Sequence, residues 1–149
     1  MIEGVKLTPL KQFFDERGKV MHMLRNDSNV FSNFGEIYFS SSFPGTVKAW
    51  HYHNKMTLNY AVIHGKIKCV LYDDRKDSSS YGIIEEYFLS PENYYLLTVP
   101  PKVWNGWKAY GVTESIVANC ADYPHDPKEI IRRPPNDDYF PYDWKITHK

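Results

Sequence analysis

The chain has 149 residues, and 18 Lys or Arg residues balance 18 Asp or Glu residues, so the formal net charge is +0. A composition that is 42% hydrophobic and 16% aromatic supports a packed core and excludes a disordered chain. The balanced charge argues against nucleic acid as a partner, and no apolar run is long enough to span a bilayer, so we expect no membrane association.

Short β-rich runs separated by turn residues dominate the chain. In chain order they cover residues 36–40, 58–63, 66–72, 84–89, 94–99 and 115–120. Helical periodicity is weak, and only residues 126–132 suit one or two helical turns, with Asp126 as N-cap and Pro127 after it. Many short strands predict an all-β sandwich or barrel. We expect one domain, with a barrel core over about 35–123 and an irregular segment over about 124–149 packed on it.

Cys69 and Cys120 are the only cysteines, and each lies in an apolar, strand-like run. Two cysteines do not make a disulfide framework, so we interpret both as buried thiols. The N-terminus also lacks the apolar stretch of a secretory signal. These features favour the cytoplasm as the location of the protein.

A His-x-His pair lies in an extended segment that follows Gly45. Residues two apart on a strand face the same way, so we expect His51 and His53 to point together into the barrel. The spacing from Gly45 through the pair to Gly65 resembles the first motif of the cupin superfamily, and residues 100–105 resemble the second. The resemblance implies a cupin double-stranded β-helix, a jelly-roll barrel.

The two remaining metal-ligand positions of the cupin motifs are occupied by Leu58 and Asn105. Leucine donates nothing, and a carboxamide is a poor ligand for first-row transition metals. Two imidazoles are too few to retain a metal ion. We therefore expect no metal and no other cofactor.

Five segments resemble, in order and with near-matching spacing, the dTDP-4-dehydrorhamnose 3,5-epimerase family. They are Asp15–Gly18, Val47–Tyr52, Gly65–Arg75, Leu89–Asn93 and Val99–Trp107. The resemblance implies an epimerase that acts on a nucleotide-linked 4-keto-6-deoxy sugar for surface polysaccharide. It also implies a homodimer.

The resemblance assigns roles to individual residues. His51 falls on the family's base, which removes the proton alpha to the ketone, and imidazole suits that task near neutral pH. Asp137 or Asp138 falls near the aspartate that orients the base, and spacing does not choose between them. Arg17 would clamp the diphosphate, and Lys48 replaces an arginine that faces the substrate.

The family's acid and its enolate-stabilising lysine have no direct counterpart in the sequence. The lysine falls at Leu58, with Lys55 nearby, and the tyrosine acid falls near Ala118. We expect a tyrosine from another strand to replace the acid. The candidates for it are Tyr60, Tyr94 and Tyr110, and the further residues expected to bind substrate are His53, Tyr60, Asn105 and Asn119.

Two alternatives stay open from the sequence. Residues 50–55, residues 100–104 and residues 121–123 also resemble dTDP-sugar 3,4-ketoisomerases, which move a ketone along the ring. The unmatched Lys and Tyr positions favour instead a non-catalytic cupin that binds a sugar nucleotide.

Overall fold

The computed structural model describes residues 1–146, and its regular structure consists of twelve β-strands. Within those residues, no helix has the length and apolar character needed to cross a membrane. The strands are β1 (Lys6–Pro9), β2 (Gln12–Asp15), β3 (Gly18–Met21), β4 (Glu36–Ser42), β5 (Val47–His53), β6 (Leu58–His64), β7 (Lys66–Tyr72), β8 (Ile84–Leu89), β9 (Tyr95–Val99), β10 (Trp104–Tyr110), β11 (Ser115–Ala121) and β12 (Ile130–Arg132).

Two five-stranded antiparallel sheets form the body of the molecule. Sheet I has the order β1-β9-β6-β11-β4, and sheet II has the order β12-β5-β10-β7-β8. Strands β2 and β3 form a separate hairpin. The non-sequential strand order of two antiparallel sheets confirms the predicted all-β jelly-roll fold.

The larger hydrophobic core lies between the two sheets. Leu58 and Val62 of β6 and Leu97 of β9 pack in one cluster with Ile67 and Leu71 of β7. Each of these side chains is 2% exposed or less, and a side chain of this size gains about 1.5–3 kcal/mol when it is fully buried. This core fixes the spacing between the sheets.

A second cluster covers the outer side of sheet II. Trp50 of β5 is fully buried there, with its ring stacked on Phe140 at 4.3 Å between centroids. Trp144 and the partly buried Tyr142 complete the cluster. The C-terminal segment therefore packs on the barrel through its aromatic residues, as the sequence predicted; residues 147–149 lie outside the described residues.

The structure differs from the sequence-based prediction at both ends of the chain. Residues 6–21 contribute three strands, although we expected the barrel core to begin near residue 35. Residues 127–129 form a turn, and Ile130–Arg132 pairs with β5 where we expected helical turns. The helical prediction was wrong because cross-strand pairing with His51, Tyr52 and His53 satisfies the backbone of this segment. Cys69 is buried as expected, whereas Cys120 is only partly buried.

Candidate active site

A cavity of about 410 Å³ opens between the two sheets and is the candidate active site. Sheet I and sheet II both contribute to its lining, so groups on opposite walls face a common space. The lining residues are Glu36, Tyr38, Ser40, Lys48, His51, His53, Met56, Tyr60, Trp107, His125, Ile130 and Arg132.

A β-bulge in β5 sets which side chains enter the cavity. Asn105 of β10 is opposite His51, and Trp107 is opposite Lys48, so three steps along β5 match two steps along β10. The extra residue changes the alternation of the strand, so that Lys48, His51 and His53 all line the cavity. A Cβ on Gly106, between the two paired residues, would lie 2.4 Å from the Cβ of Ala49. Glycine at this position therefore permits the close approach at the bulge.

His51 has a cationic and partly buried environment. Burial, Arg132, His53 and Lys48, in that order, lower the pKa of His51 from 6.5 to about 4. Its ring lies 6.4 Å from that of Trp107, and no described residue forms a hydrogen bond with the imidazole. At neutral pH the ring is therefore uncharged and free to accept a proton.

His53 forms a buried pair with Glu129, which lies in the turn before β12. The Nδ1 atom of His53 is 2.5 Å from Oε1 of Glu129, and the side chains are 8% and 9% exposed. The backbone amide of Lys55 donates to the other carboxylate oxygen at 3.4 Å. Burial lowers the pKa of His53, and Glu129 acts against it by favouring the charged ring.

Two tyrosines reach the cavity from sheet I and differ in how their hydroxyl groups are used. The hydroxyl of Tyr38 on β4 accepts from the amide of Asn119 at 2.9 Å, so its own proton is free for another acceptor. The hydroxyl of Tyr60 donates to Oδ1 of Asn105 at 3.0 Å. Tyr38 is therefore the tyrosine that is available to give a proton in the cavity.

Two cations line the cavity near His51. Lys48 donates from Nζ to Oγ of Ser40 at 2.9 Å and to the carbonyl oxygen of Ser41 at 2.5 Å. Arg132 is exposed and lies opposite His51 in the pairing of β12 with β5. The two cations make this wall of the cavity suited to an anionic ligand or an enolate.

The two amides predicted to bind substrate instead position other groups. Asn105 is fully buried, and its Nδ2 donates to the carbonyl oxygens of His51 at 3.1 Å and Val103 at 3.4 Å. Asn119 is 1% exposed and bonds the backbone amide of Asn59 as well as Tyr38. Neither amide lines the cavity.

Three further predicted residues lie outside the cavity. Asp137 accepts from Arg133 at 3.2 Å, and Asp138 is exposed. Arg17, in the turn of the β2–β3 hairpin, pairs with Asp15 at 2.5 Å, and its side chain is 89% exposed. The structure brings none of these three to His51, because each belongs to a segment outside the two walls of the cavity.

The sequence analysis did not single out Tyr38, Glu129 or Arg132. Tyr38 lies in a predicted strand, and alternation along that strand would have placed Glu36, Tyr38 and Ser40 on one face. Glu129 and Arg132 carried no comparable signal, because they were in a segment predicted as helical. Among residues 1–146 no group of three or more His, Cys, Asp or Glu side chains is placed to hold a metal ion.

The fold is a cupin-type jelly roll whose cavity has histidines on one wall and a tyrosine hydroxyl on the other, groups that suit proton transfer. The family profile described as dTDP-4-dehydrorhamnose 3,5-epimerase matches residues 1–149, and the chain belongs to that family. Membership confirms the predicted family and the predicted enzyme class, sugar-nucleotide epimerases and isomerases. The alternative of a non-catalytic binding cupin loses its support.

The similarity to known proteins covers all or nearly all of the chain. The chain is 33% identical to the spore coat polysaccharide biosynthesis protein SpsL of Bacillus subtilis, over 100% of both chains. It is 31% identical to the probable low-salt glycan biosynthesis epimerase Agl13 of Haloferax volcanii, over 95% of this chain and 89% of that protein. The crystal structure of a dTDP sugar isomerase from Desulfovibrio desulfuricans superposes with a TM-score of 0.94, at 47% identity, over 96% of this chain and 92% of the other.

Proposed function

We propose that this protein is an epimerase that acts on a dTDP-linked 4-keto-6-deoxy sugar in the synthesis of a surface polysaccharide. The observation that carries the proposal is the arrangement of His51 on sheet II and Tyr38 on sheet I around one cavity. Epimerisation removes a proton from one face of a carbon and returns a proton on the other. A base and an acid on opposite walls supply both steps.

His51 is the proposed base. Its neutral imidazole accepts the proton from a carbon beside the ketone, and the C–H electron pair moves onto the ketone oxygen. Tyr38, whose hydroxyl is held by Asn119, then donates its proton to the opposite face of the same carbon. Exchange with water restores the proton to Tyr38 and removes it from His51.

Lys48 and Arg132 are the proposed cationic groups of the reaction. An enolate carries negative charge on oxygen, and a fixed cation stabilises it more strongly in a partly closed cavity than in water. The same two side chains suit the diphosphate of the nucleotide. Bound anionic substrate would also offset their effect on His51 and raise its pKa, which strengthens the base.

The test is incubation with dTDP-4-keto-6-deoxyglucose in D2O, followed by NMR. Deuterium at C3 and C5, without movement of the ketone, is the expected result for a 3,5-epimerase. Deuterium at one of these carbons alone, with inverted configuration, indicates an epimerase of narrower scope. Saturable binding without exchange into this or any other 4-keto sugar nucleotide contradicts the proposal.

A 3,4-ketoisomerase is the second candidate. The observation that favours it is the presence of two histidines on one wall, since moving a ketone requires proton transfers at adjacent atoms. The same incubation separates the two reactions, because the ketoisomerase removes the proton from C3 and adds one at C4, which gives a product with deuterium at C4 and the ketone at C3.

We propose further that the protein is a homodimer that works in the cytoplasm. β4 is the outermost strand of sheet I, and Phe39 on it is 61% exposed. Phe14 and Val20 of the hairpin are 71% and 61% exposed, so apolar surface is available for a second copy. The free thiols of Cys69 and Cys120 suit a reducing compartment.

The oligomeric state is measured by light scattering after size exclusion. A dimer that Phe39→Glu converts to a monomer supports the proposal, with exposed Val112→Glu as the control. A wild-type monomer contradicts it. Fractionation of cells that express a tagged chain tests the location.

A further inference from the structure

The buried pair of His53 and Glu129 is not used by the mechanism above. Nδ1 of His53 lies 2.5 Å from Oε1 of Glu129, and both side chains are more than nine-tenths buried. Burial of a carboxylate is costly unless its charge is partnered. His53 and the backbone amide of Lys55 both contact the Glu129 carboxylate and offset this cost. The backbone carbonyl oxygen of Glu129 accepts hydrogen bonds from the side chain and the backbone of Asn54, each at 3.0 Å.

The contact defines the chemical state of His53. A carboxylate at Nδ1 holds the proton of the neutral ring on that atom, which leaves Nε2 as an unprotonated acceptor. His53 lines the cavity, and the ring nitrogen not engaged by Glu129 is the one left for a ligand. When Nε2 takes a proton, the adjacent carboxylate stabilises the imidazolium.

His51 has no equivalent support. No described residue donates to or accepts from its ring, and Arg132 and Lys48 both oppose its protonation. The two histidines therefore differ in kind, although they are two residues apart and line the same cavity. Of these two histidines, His53 is the one whose ring contacts a carboxylate within residues 1–146, and this contact favours reversible protonation of its other nitrogen.

We propose that His53 is a second proton-transfer group of this cavity and that Glu129 is its positioning residue. The inference rests on the proposed function. Nε2 accepts a proton from a carbon beside the ketone while the C–H electron pair moves to the ketone oxygen. The proton remains on the imidazolium until it returns to the enolate or passes to water. Two bases on one wall give the enzyme a proton acceptor for each of two substrate positions.

The charged groups around His53 set the expected pH response. Burial has the largest effect and lowers the pKa of His53; Glu129 acts against it, whereas Arg132 from β12 and His125 from the preceding loop lower the pKa further. His51 precedes His53 on β5 by two positions. Removal of the Glu129 charge therefore lowers the pKa of His53, which weakens it as a base and moves the acid limb of the pH profile to lower pH.

The experiment compares wild type with Glu129→Gln, Glu129→Asp and His53→Gln. Exchange of each substrate proton with D2O is followed separately, together with KM and kcat between pH 4 and 9. We expect Glu129→Gln to lower kcat for at least one position about 100-fold, with KM changed less than threefold, and Glu129→Asp to recover part of the loss. Asp126→Asn is the matched control, an exposed carboxylate in the same loop that caps the backbone amide of Lys128.

A second measurement tests the pair of His53 and Glu129 without substrate. Nitrogen-15 NMR of the free protein reports the tautomer and pKa of His53. A neutral ring protonated on Nδ1, and a lower pKa in Glu129→Gln, support the pair even if no keto sugar is turned over. A ring protonated on Nε2 overturns the inference. If the Glu129→Gln variant exchanges every substrate proton at the wild-type rate at every pH, the inference is overturned as well, whatever the thermal stability of the variant.

Discussion

Lys48 and His51 line the same cavity although they are three positions apart on one β-strand. Regular alternation would direct them to opposite faces of sheet II. The bulge opposite Asn105 and Trp107 removes this conflict and places a cation beside the proposed base. The arrangement of this cavity wall therefore depends on a local irregularity of β5 and on Gly106, the residue that permits it.

Gly106→Ala tests that dependence. The new Cβ would lie 2.4 Å from the Cβ of Ala49 and 2.9 Å from its Cα, so β5 or β10 must shift. We expect a loss of about 1–3 kcal/mol in the free energy of unfolding, measured with urea. We also expect the folded variant to exchange substrate protons more slowly than wild type, because Lys48 and His51 are displaced. The double variant with Ala49→Gly removes the shortest contact and should recover part of the stability. Wild-type stability in the single variant would contradict the steric argument.

His51→Asn tests the proposed base. Asparagine keeps polarity and avoids a large void, but it does not accept a proton near neutral pH. We expect substrate deuterium exchange to fall about 10²–10⁴-fold at one or both positions, with binding of dTDP nearly unchanged. His22→Asn, an exposed residue beyond β3, is the control. Full exchange in His51→Asn would place the base elsewhere.

Tyr38→Phe and Tyr60→Phe form a matched pair. The hydroxyl of Tyr38 is held by Asn119, with its proton free, whereas that of Tyr60 donates to Asn105. We expect Tyr38→Phe to lose epimer formation with little change in stability. Tyr60→Phe should instead cost about 1–3 kcal/mol of stability, because Oδ1 of the fully buried Asn105 loses its donor, and keep the reaction. Product analysis by NMR and urea unfolding separate the two effects, and a reversed pattern would make Tyr60 the acid.

The charge environment of His51 predicts its titration. In the free protein we expect a pKa of about 4, and Arg132→Gln should raise it towards 6.5 because the largest charge effect is removed. Nitrogen-15 NMR measures both values. A titration near 6.5 in wild type would mean that the ring is not held in the cavity as the structure has it.

The same shift links pH to stability. Between the folded pKa of about 4 and the ordinary value of 6.5, the unfolded chain binds more protons at His51 than the folded chain does. The free energy of unfolding should therefore decrease as pH falls from 6.5 to 4. His51→Asn should show a shallower decrease over that window, measured by urea unfolding at a series of pH values.

The sequence by itself determined the class of fold, the family and the shared direction of His51 and His53. The class of fold and the shared direction follow from local features, because short apolar runs between turn residues predict strands and a period of two directs alternate side chains to one face. The family follows from the resemblance of five segments, in order and spacing, to known epimerases. The aromatic residues of the C-terminal segment were likewise identifiable as packing groups, and Phe140 and Trp144 are buried. Apart from the family, each inference needed only the neighbouring residues.

The tertiary structure decided which side chains share the cavity. Tyr38 of β4 lies on the wall opposite His51, because β4 belongs to sheet I. The pairing of β12 with β5 brings Arg132 beside His51 and the preceding turn, with Glu129, to His53. Lys48 joins them through a bulge that depends on contact between β5 and Gly106 of another strand. Arg17 and Asp137 are held outside the cavity by their own ion pairs with Asp15 and Arg133. Contacts between residues distant in the chain depend on packing and backbone geometry, and a local sequence pattern does not predict either.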